Sequence, residues 1–67
     1  MKYEDHFERN PDVADGRPVI KGTTVPVQDV MRVLATGASF GKVLDQFPDI
    51  DERDIRAVIA FAAIAVD

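Results

Sequence analysis

Residues 26 to 48 read Pro26-Val27-Gln28-Asp29-Val30-Met31-Arg32-Val33-Leu34-Ala35-Thr36-Gly37-Ala38-Ser39-Phe40-Gly41-Lys42-Val43-Leu44-Asp45-Gln46-Phe47-Pro48, two apolar repeats split by a glycine and bounded by prolines. Val27, Val30, Met31 and Leu34 fall at i, i+3, i+4 and i+7, the single apolar stripe of an amphipathic helix. Gly37 stops that helix as a C-terminal cap. Ser39 is a good N-cap for a second, shorter helix, in which Phe40, Val43, Leu44 and Phe47 repeat the spacing until Pro48 forces an end near Phe47. Helix, tight turn and short helix make the outline of a helix-turn-helix.

Working outward toward the C-terminus, Asp51 caps a third helix. Asp54 stands three residues on, in the capping-box position but one methylene shorter than the preferred glutamate. The helix then runs into Ala57-Val58-Ile59-Ala60-Phe61-Ala62-Ala63-Ile64-Ala65-Val66, ten apolar residues in a chain of 67. A helix apolar on every side must be covered on every side. Ile55, Val58, Ile59, Ala62 and Val66 form one stripe for packing on the first two helices, while Ala57, Phe61, Ile64 and Ala65 populate other faces. Two coverings of those faces stay open. One is a second copy of the chain, giving a homodimer anchored by Phe61 and Ile64, because large apolar side chains at a patch centre carry most binding energy. The other is the chain's own N-terminal segment.

Toward the N-terminus, Pro11, Gly16, Pro18, Gly22 and Pro26 exclude a long helix from the first 26 residues, which should be extended. Val19-Ile20 and Thr23-Thr24-Val25 are short β-branched runs flanking Lys21-Gly22, a tight hairpin or a pair of bridged segments. Asp15-Gly16 supplies a second turn that would bring Phe7 to Asn10 back alongside. The expected organisation is a single domain, 1–67, mostly α. An extended or β segment (1–26) precedes a three-helix bundle (27–67), and residues 1–5 are the candidate linker.

Domains near this size bury only about 60% of the surface their unfolded chains expose, so their stability margin is thin. With no cysteine, disulfides and Cys-based metal sites do not widen it, which fits a reducing cytoplasm. The charged start, Met1-Lys2-Tyr3-Glu4-Asp5-His6, is unlike an export signal, and the C-terminal apolar run is shorter than the roughly 20 residues of a membrane span. Composition is that of an ordered domain, 46% aliphatic and aromatic with 30% charged residues. The expectation is a cytoplasmic protein acting in an oligomer or complex, with no cofactor, metal or small-molecule substrate.

The net charge of −4 counts against holding nucleic acid by the whole surface. Its distribution is uneven. Gly16 to Gln28 carries Arg17 and Lys21 and no acid, whereas Asp29 to Asp67 carries seven acids against Arg32, Lys42, Arg53 and Arg56. The segment Arg17-Pro18-Val19-Ile20-Lys21-Gly22-Thr23-Thr24 is therefore the first candidate contact surface, for DNA phosphates or for a partner's carboxylates, where charge-assisted hydrogen bonds are strongest. The competing reading is structural, with Gly22 supplying a positive φ and Thr23 bonding the turn. In a DNA-binding helix-turn-helix the second helix reads base edges. Here it offers Lys42 and Gln46, the latter suited to adenine, but also Asp45, which phosphate repels. Arg53 and Arg56 sit among Asp51, Glu52 and Asp54 and read as surface ion pairs. Tyr3, Glu4, Asp5, His6 and Glu8 mimic a metal or acid-base cluster, but they lie where the sequence gives least reason for order. No second histidine or phosphate-cradling glycine loop accompanies them, so binding is expected and catalysis is not.

The stretch Asp15-Gly16-Arg17-Pro18-Val19-Ile20-Lys21-Gly22-Thr23-Thr24-Val25-Pro26-Val27 resembles the signature of domain-of-unknown-function family 433, short prokaryotic proteins of which some act as VapB-type antitoxins. Leu34-Ala35-Thr36-Gly37-Ala38-Ser39 is similar to that family's leucine, small-residue, glycine turn. Phe47-Pro48 and Asp54-Ile55-Arg56-Ala57 are similar to its entry into the third helix. The resemblance covers roughly residues 7 to 65, and one departure is Thr24, where the family usually has arginine. It implies a homeodomain-like or winged-helix-like three-helix unit behind a small β segment. It also implies an antitoxin-like role: neutralising a PIN-like nuclease toxin by occupying its acidic metal-binding cleft, while the pair represses its own promoter. The alternative expectation is a stand-alone helix-turn-helix DNA-binding regulator with no toxin partner.

Overall fold

In the computed structural model, which describes residues 3–66, the chain passes from a 3₁₀ turn (Tyr3–His6) into strand β1 (Phe7–Glu8). A left-handed turn (Ala14–Gly16) leads to strand β2 (Val19–Ile20), and helices α1 (Val27–Ala35), α2 (Phe40–Gln46) and α3 (Glu52–Ala65) follow. The strands pair antiparallel, Phe7 with Ile20 and Glu8 with Val19. On its other side β2 folds back on itself. Ile20 N–H donates to Val25 O at 2.9 Å, and Val19 bridges Pro26. Both pairings foreseen for this segment thus coexist, centred on the same two residues.

Each helix is bounded by the residues that its local chemistry singles out. Ser39 Oγ accepts the Lys42 N–H at 3.2 Å at the start of α2. Gly37, with φ of +87°, takes the left-handed conformation that ends the turn after α1, and Phe47 before Pro48 sits at φ −126°, ψ 75°, outside the helical region. At α3 the capping box closes in both directions: Asp51 Oδ1 accepts Asp54 N–H at 3.1 Å, and Asp54 Oδ2 accepts Asp51 N–H at 3.0 Å. The shorter side chain of Asp54 is sufficient.

The core lies where these elements meet. Ile20 of β2, Val27 and Val30 of α1, Val43 of α2, Ile50, and Ile55 and Val58 of α3 form one buried cluster. Removing such a side chain from water contributes about 1.5–3 kcal/mol each, so a handful of aliphatics from all three helices and one strand holds the domain.

Three sequence expectations are corrected. The first 26 residues are not simply extended, since a 3₁₀ turn and a left-handed turn interrupt them. Part of the reason is local, because Asn10 O and its side-chain Oδ1 accept the N–H groups of Val13 and Asp12. Within the expected linker 1–5, Tyr3, Glu4 and Asp5 belong to the 3₁₀ turn, which packs against α3, and Met1 and Lys2 lie outside the described residues. The stripe of α3 is also shorter than its sequence suggests: Ile59 is 44% exposed and Val66 85%. At about 1.5 Å per residue, the 14-residue α3 outruns the nine-residue α1 by several ångströms, so its last turn has nothing to pack on. Among the described residues no helix is long and apolar enough to cross a membrane.

Candidate functional site

Among the described residues, three of the four Lys and Arg side chains without an ion pair lie in the N-terminal loops; the fourth is Lys42 on α2. Every described arginine on a helix has a carboxylate partner: Arg32 with Asp29, Arg53 with Asp51, Arg56 with Glu52. Arg9, Arg17 and Lys21 make no ion pair among the described residues. Arg17 is nevertheless held in place, Nε donating to Ala14 O at 3.0 Å and Nη1 to Gln28 Oε1 at 2.9 Å. Arg9 Nη1 reaches Gly16 O at 3.4 Å from the other side of the same turn. That turn is unusual: Ala14, Asp15 and Gly16 have φ of 52°, 57° and 80°. For residues other than glycine this conformation costs about 1–2 kcal/mol each, and such strain clusters at functional sites.

The remaining members of the expected contact segment divide. Lys21 is exposed at the tip, its backbone N–H donating to His6 O at 2.7 Å. Gly22, at φ +80°, donates its N–H to Glu8 Oε1 at 3.1 Å, and a Cβ there would meet nothing within 4 Å, so the backbone conformation rather than crowding favours glycine. Thr23 is committed to the turn, its Oγ1 donating to Ile20 O at 2.7 Å and accepting Val25 N–H at 3.0 Å. It is half-buried, so its structural reading prevails. Thr24 is exposed.

On α2, Lys42 and Gln46 are both exposed, and so is Asp45 beside them. In a seven-residue helix this leaves one cation against one anion on the solvent side.

On α3 the expected interface residues separate. Ala57 is fully buried in the chain's own interior and is withdrawn from any surface. Phe61 is half-buried and stacks with Tyr3 and Phe7, ring centroids 5.6 and 5.8 Å away. The N-terminal segment therefore covers this face, and Phe61 anchors an intramolecular contact. Ile64 is 58% exposed and Ala65 is exposed. A second link fixes the same cover: His6 Nδ1 lies 2.9 Å from Asp54 Oδ1, the imidazole N–H donating to the carboxylate. The acidic N-terminal stretch is thus ordered against α3, contrary to expectation.

Around Phe61 the surface is concave. One groove of about 510 Å³ runs past Tyr3, Phe7, Arg9, Pro18 and Phe61, with Glu4 and Glu8 on its margin. A second, of about 370 Å³, shares Arg9, Pro18 and Phe61 and continues over Val27 and Met31 to Arg17 and Gln28. A third cleft of about 310 Å³ lies between α1 and α3, lined by Met31, Leu34, Val58, Ile59 and Ala62. Arg9 is the residue sequence reasoning missed: it stands among acids and outside the Gly16 to Gln28 window, and only the fold brings it back beside Arg17.

These features define a small helical domain of helix-turn-helix outline, strapped by an N-terminal hairpin that displays two positioned guanidiniums. The chain belongs to domain-of-unknown-function family 433, whose model, described as "Protein of unknown function (DUF433)", matches residues 8–62. Among curated proteins it is similar to the uncharacterized protein y4eO of Sinorhizobium fredii (strain NBRC 101917 / NGR234), 40% identical over 53 residues. The match covers 79% of this chain and 24% of y4eO, so the chain spans about a quarter of that relative's length. No solved structure matches the chain.

Proposed function

We propose that this protein is a non-enzymatic, antitoxin-like binding module that neutralises a PIN-like nuclease partner by occupying its carboxylate-rich cleft. One observation carries the reading. The helical arginines already face neighbouring carboxylates, while Arg17, at the end of a strained turn, and Arg9, which reaches toward that turn, stand unpaired among the described residues. Cations held in position without a partner are suited to meeting a partner's anions, because little side-chain freedom remains to be lost on binding. Homodimerisation through the exposed end of α3, and repression of a promoter by the toxin complex, belong to the same proposal.

The stand-alone DNA-binding regulator rests on the α1–α2 corner, and the balance of Lys42 against Asp45 on α2 favours it less. Co-expression of the chain with the product of each adjacent reading frame, followed by affinity purification and light scattering, tests the choice. A stoichiometric complex with a carboxylate-rich small nuclease is the expected result. A lone homodimer whose DNA affinity falls steeply with rising salt would instead establish the regulator.

A further inference from the structure

We infer that the groove floored by Pro18, Val27, Met31 and Phe61, and rimmed by Arg9 and Arg17, receives an acidic peptide segment of the partner protein. One large apolar side chain of that segment seats on the floor while flanking carboxylates pair with the two guanidiniums. The inference rests on the binding-module reading and adds where the partner is gripped and by what chemistry.

Charge complementarity selects this occupant. Arg9 and Arg17 lie on the same groove; bonds to Ala14 O and Gln28 Oε1 hold Arg17 at its edge, and Arg9 reaches toward Gly16 O at 3.4 Å. A planar guanidinium so held matches a carboxylate in two-point geometry. Between them the floor is apolar and concave, the form in which an interface seats an anchoring side chain. Duplex DNA would engage the rim and leave this floor empty. A second copy of the chain fits less well, because the large apolar side chains that α3 and its end leave exposed, Ile59, Ile64 and Val66, have no charged residue between them to answer either arginine. Glu4 and Glu8 border the neighbouring groove beyond Arg9, so an acidic segment is repelled there and directed toward Arg17 and Gln28.

The test is an NMR titration of the full chain with a capped peptide Glu-Glu-Leu-Phe-Glu-Glu, its counterpart Gln-Gln-Leu-Phe-Gln-Gln, and a short DNA duplex at the same ionic strength. The acidic peptide should shift resonances of Arg9, Arg17, Gln28 and Phe61. Each lost charge-assisted pair should weaken binding about tenfold, whether it is lost in the glutamine peptide or in Arg9→Gln and Arg17→Gln. Met31→Glu, which puts a carboxylate on the floor without touching the turn, should abolish binding; because Met31 packs against the core, Gln28→Glu, an exposed change that gives Arg17 a carboxylate of its own, is measured beside it and should weaken binding about as much as Arg17→Gln. Equal binding of the glutamine peptide, no binding of the acidic one, or shifts at these residues by DNA alone would each overturn the inference. The copurified complex separates this failure from that of the function. A partner retained by Met31→Glu and by the double arginine variant removes the groove and leaves the module standing. Peptide binding by a chain that captures no nuclease does the reverse.

Discussion

Asp54 divides its carboxylate between two structures that the sequence keeps 48 positions apart. Oδ2 accepts the Asp51 N–H and closes the capping box, and Oδ1 accepts from His6 at 2.9 Å. The first bond was legible, because an N-cap and its partner three residues on leave a local signal. The second was not, since nothing near His6 distinguishes a tethered histidine from one in a solvated acidic tail. Asp54→Ala removes both and should cost about 1–3 kcal/mol. A double-mutant cycle with His6→Ala in urea denaturation should show a coupling of about 0.5–1 kcal/mol, and strictly additive effects would mean that the imidazole contributes nothing. Asp51 gives a prediction in pH. The Asp54 backbone N–H, then the Arg53 guanidinium, hold its carboxyl below the ordinary 3.8. A lowered folded-state value means that its contribution is fully present above the unfolded value and is lost as pH falls through the folded one. Stability should therefore decline on acidification below about pH 4, and Asp51→Asn, which can still cap, should flatten that decline in urea titrations.

The three helices were readable as elements because each announces itself by period and punctuation, and α2 keeps to its serine and proline. The N-terminal half was readable only in part. The return of Phe7 alongside β2 follows from the Asp15-Gly16 turn, but Ala14 at φ 52° has no sequence signature, since alanine seldom adopts that conformation. Nor did the sequence decide between the two coverings of α3. The structure gives the inner part of that face to Tyr3 and Phe7, whose rings meet each other and Phe61 at 5.6–6.0 Å. The strap is then a cooperative piece of the domain, held by aromatic packing, the His6–Asp54 bond and the Lys21 to His6 backbone bond. Phe7→Ala should destabilise the protein by less than the about 3–5 kcal/mol of a fully buried phenylalanine, because Phe7 is only half-buried. Hydrogen exchange should localise the loss, with amides of β1 and the middle of α3 losing protection before those of α1. Uniform loss would show that the strap does not open separately.

For the molecule as a whole, the decisive question is what covers the end of α3. With Ala57 buried in the interior and Phe61 packed on the strap, the large apolar side chains left exposed among the described residues are Ile59, Ile64 and Val66, beside the cleft where Ile59 and Ala62 face Met31 and Leu34. A standard interface removes about 800 Å² from each partner, under a fifth of the 4493 Å² that this chain exposes. Phe61→Asp does not test this cleanly, because it would unseat Tyr3 and Phe7 first. Ile64→Asp does, since Ile64 is outside the core cluster and its replacement leaves the strap and helix contacts intact. If α3 carries the homodimer, Ile64→Asp should run as a monomer in light scattering with an unchanged helical circular dichroism spectrum, and Ile59→Asp should do the same. A dimer that survives both substitutions must use another face.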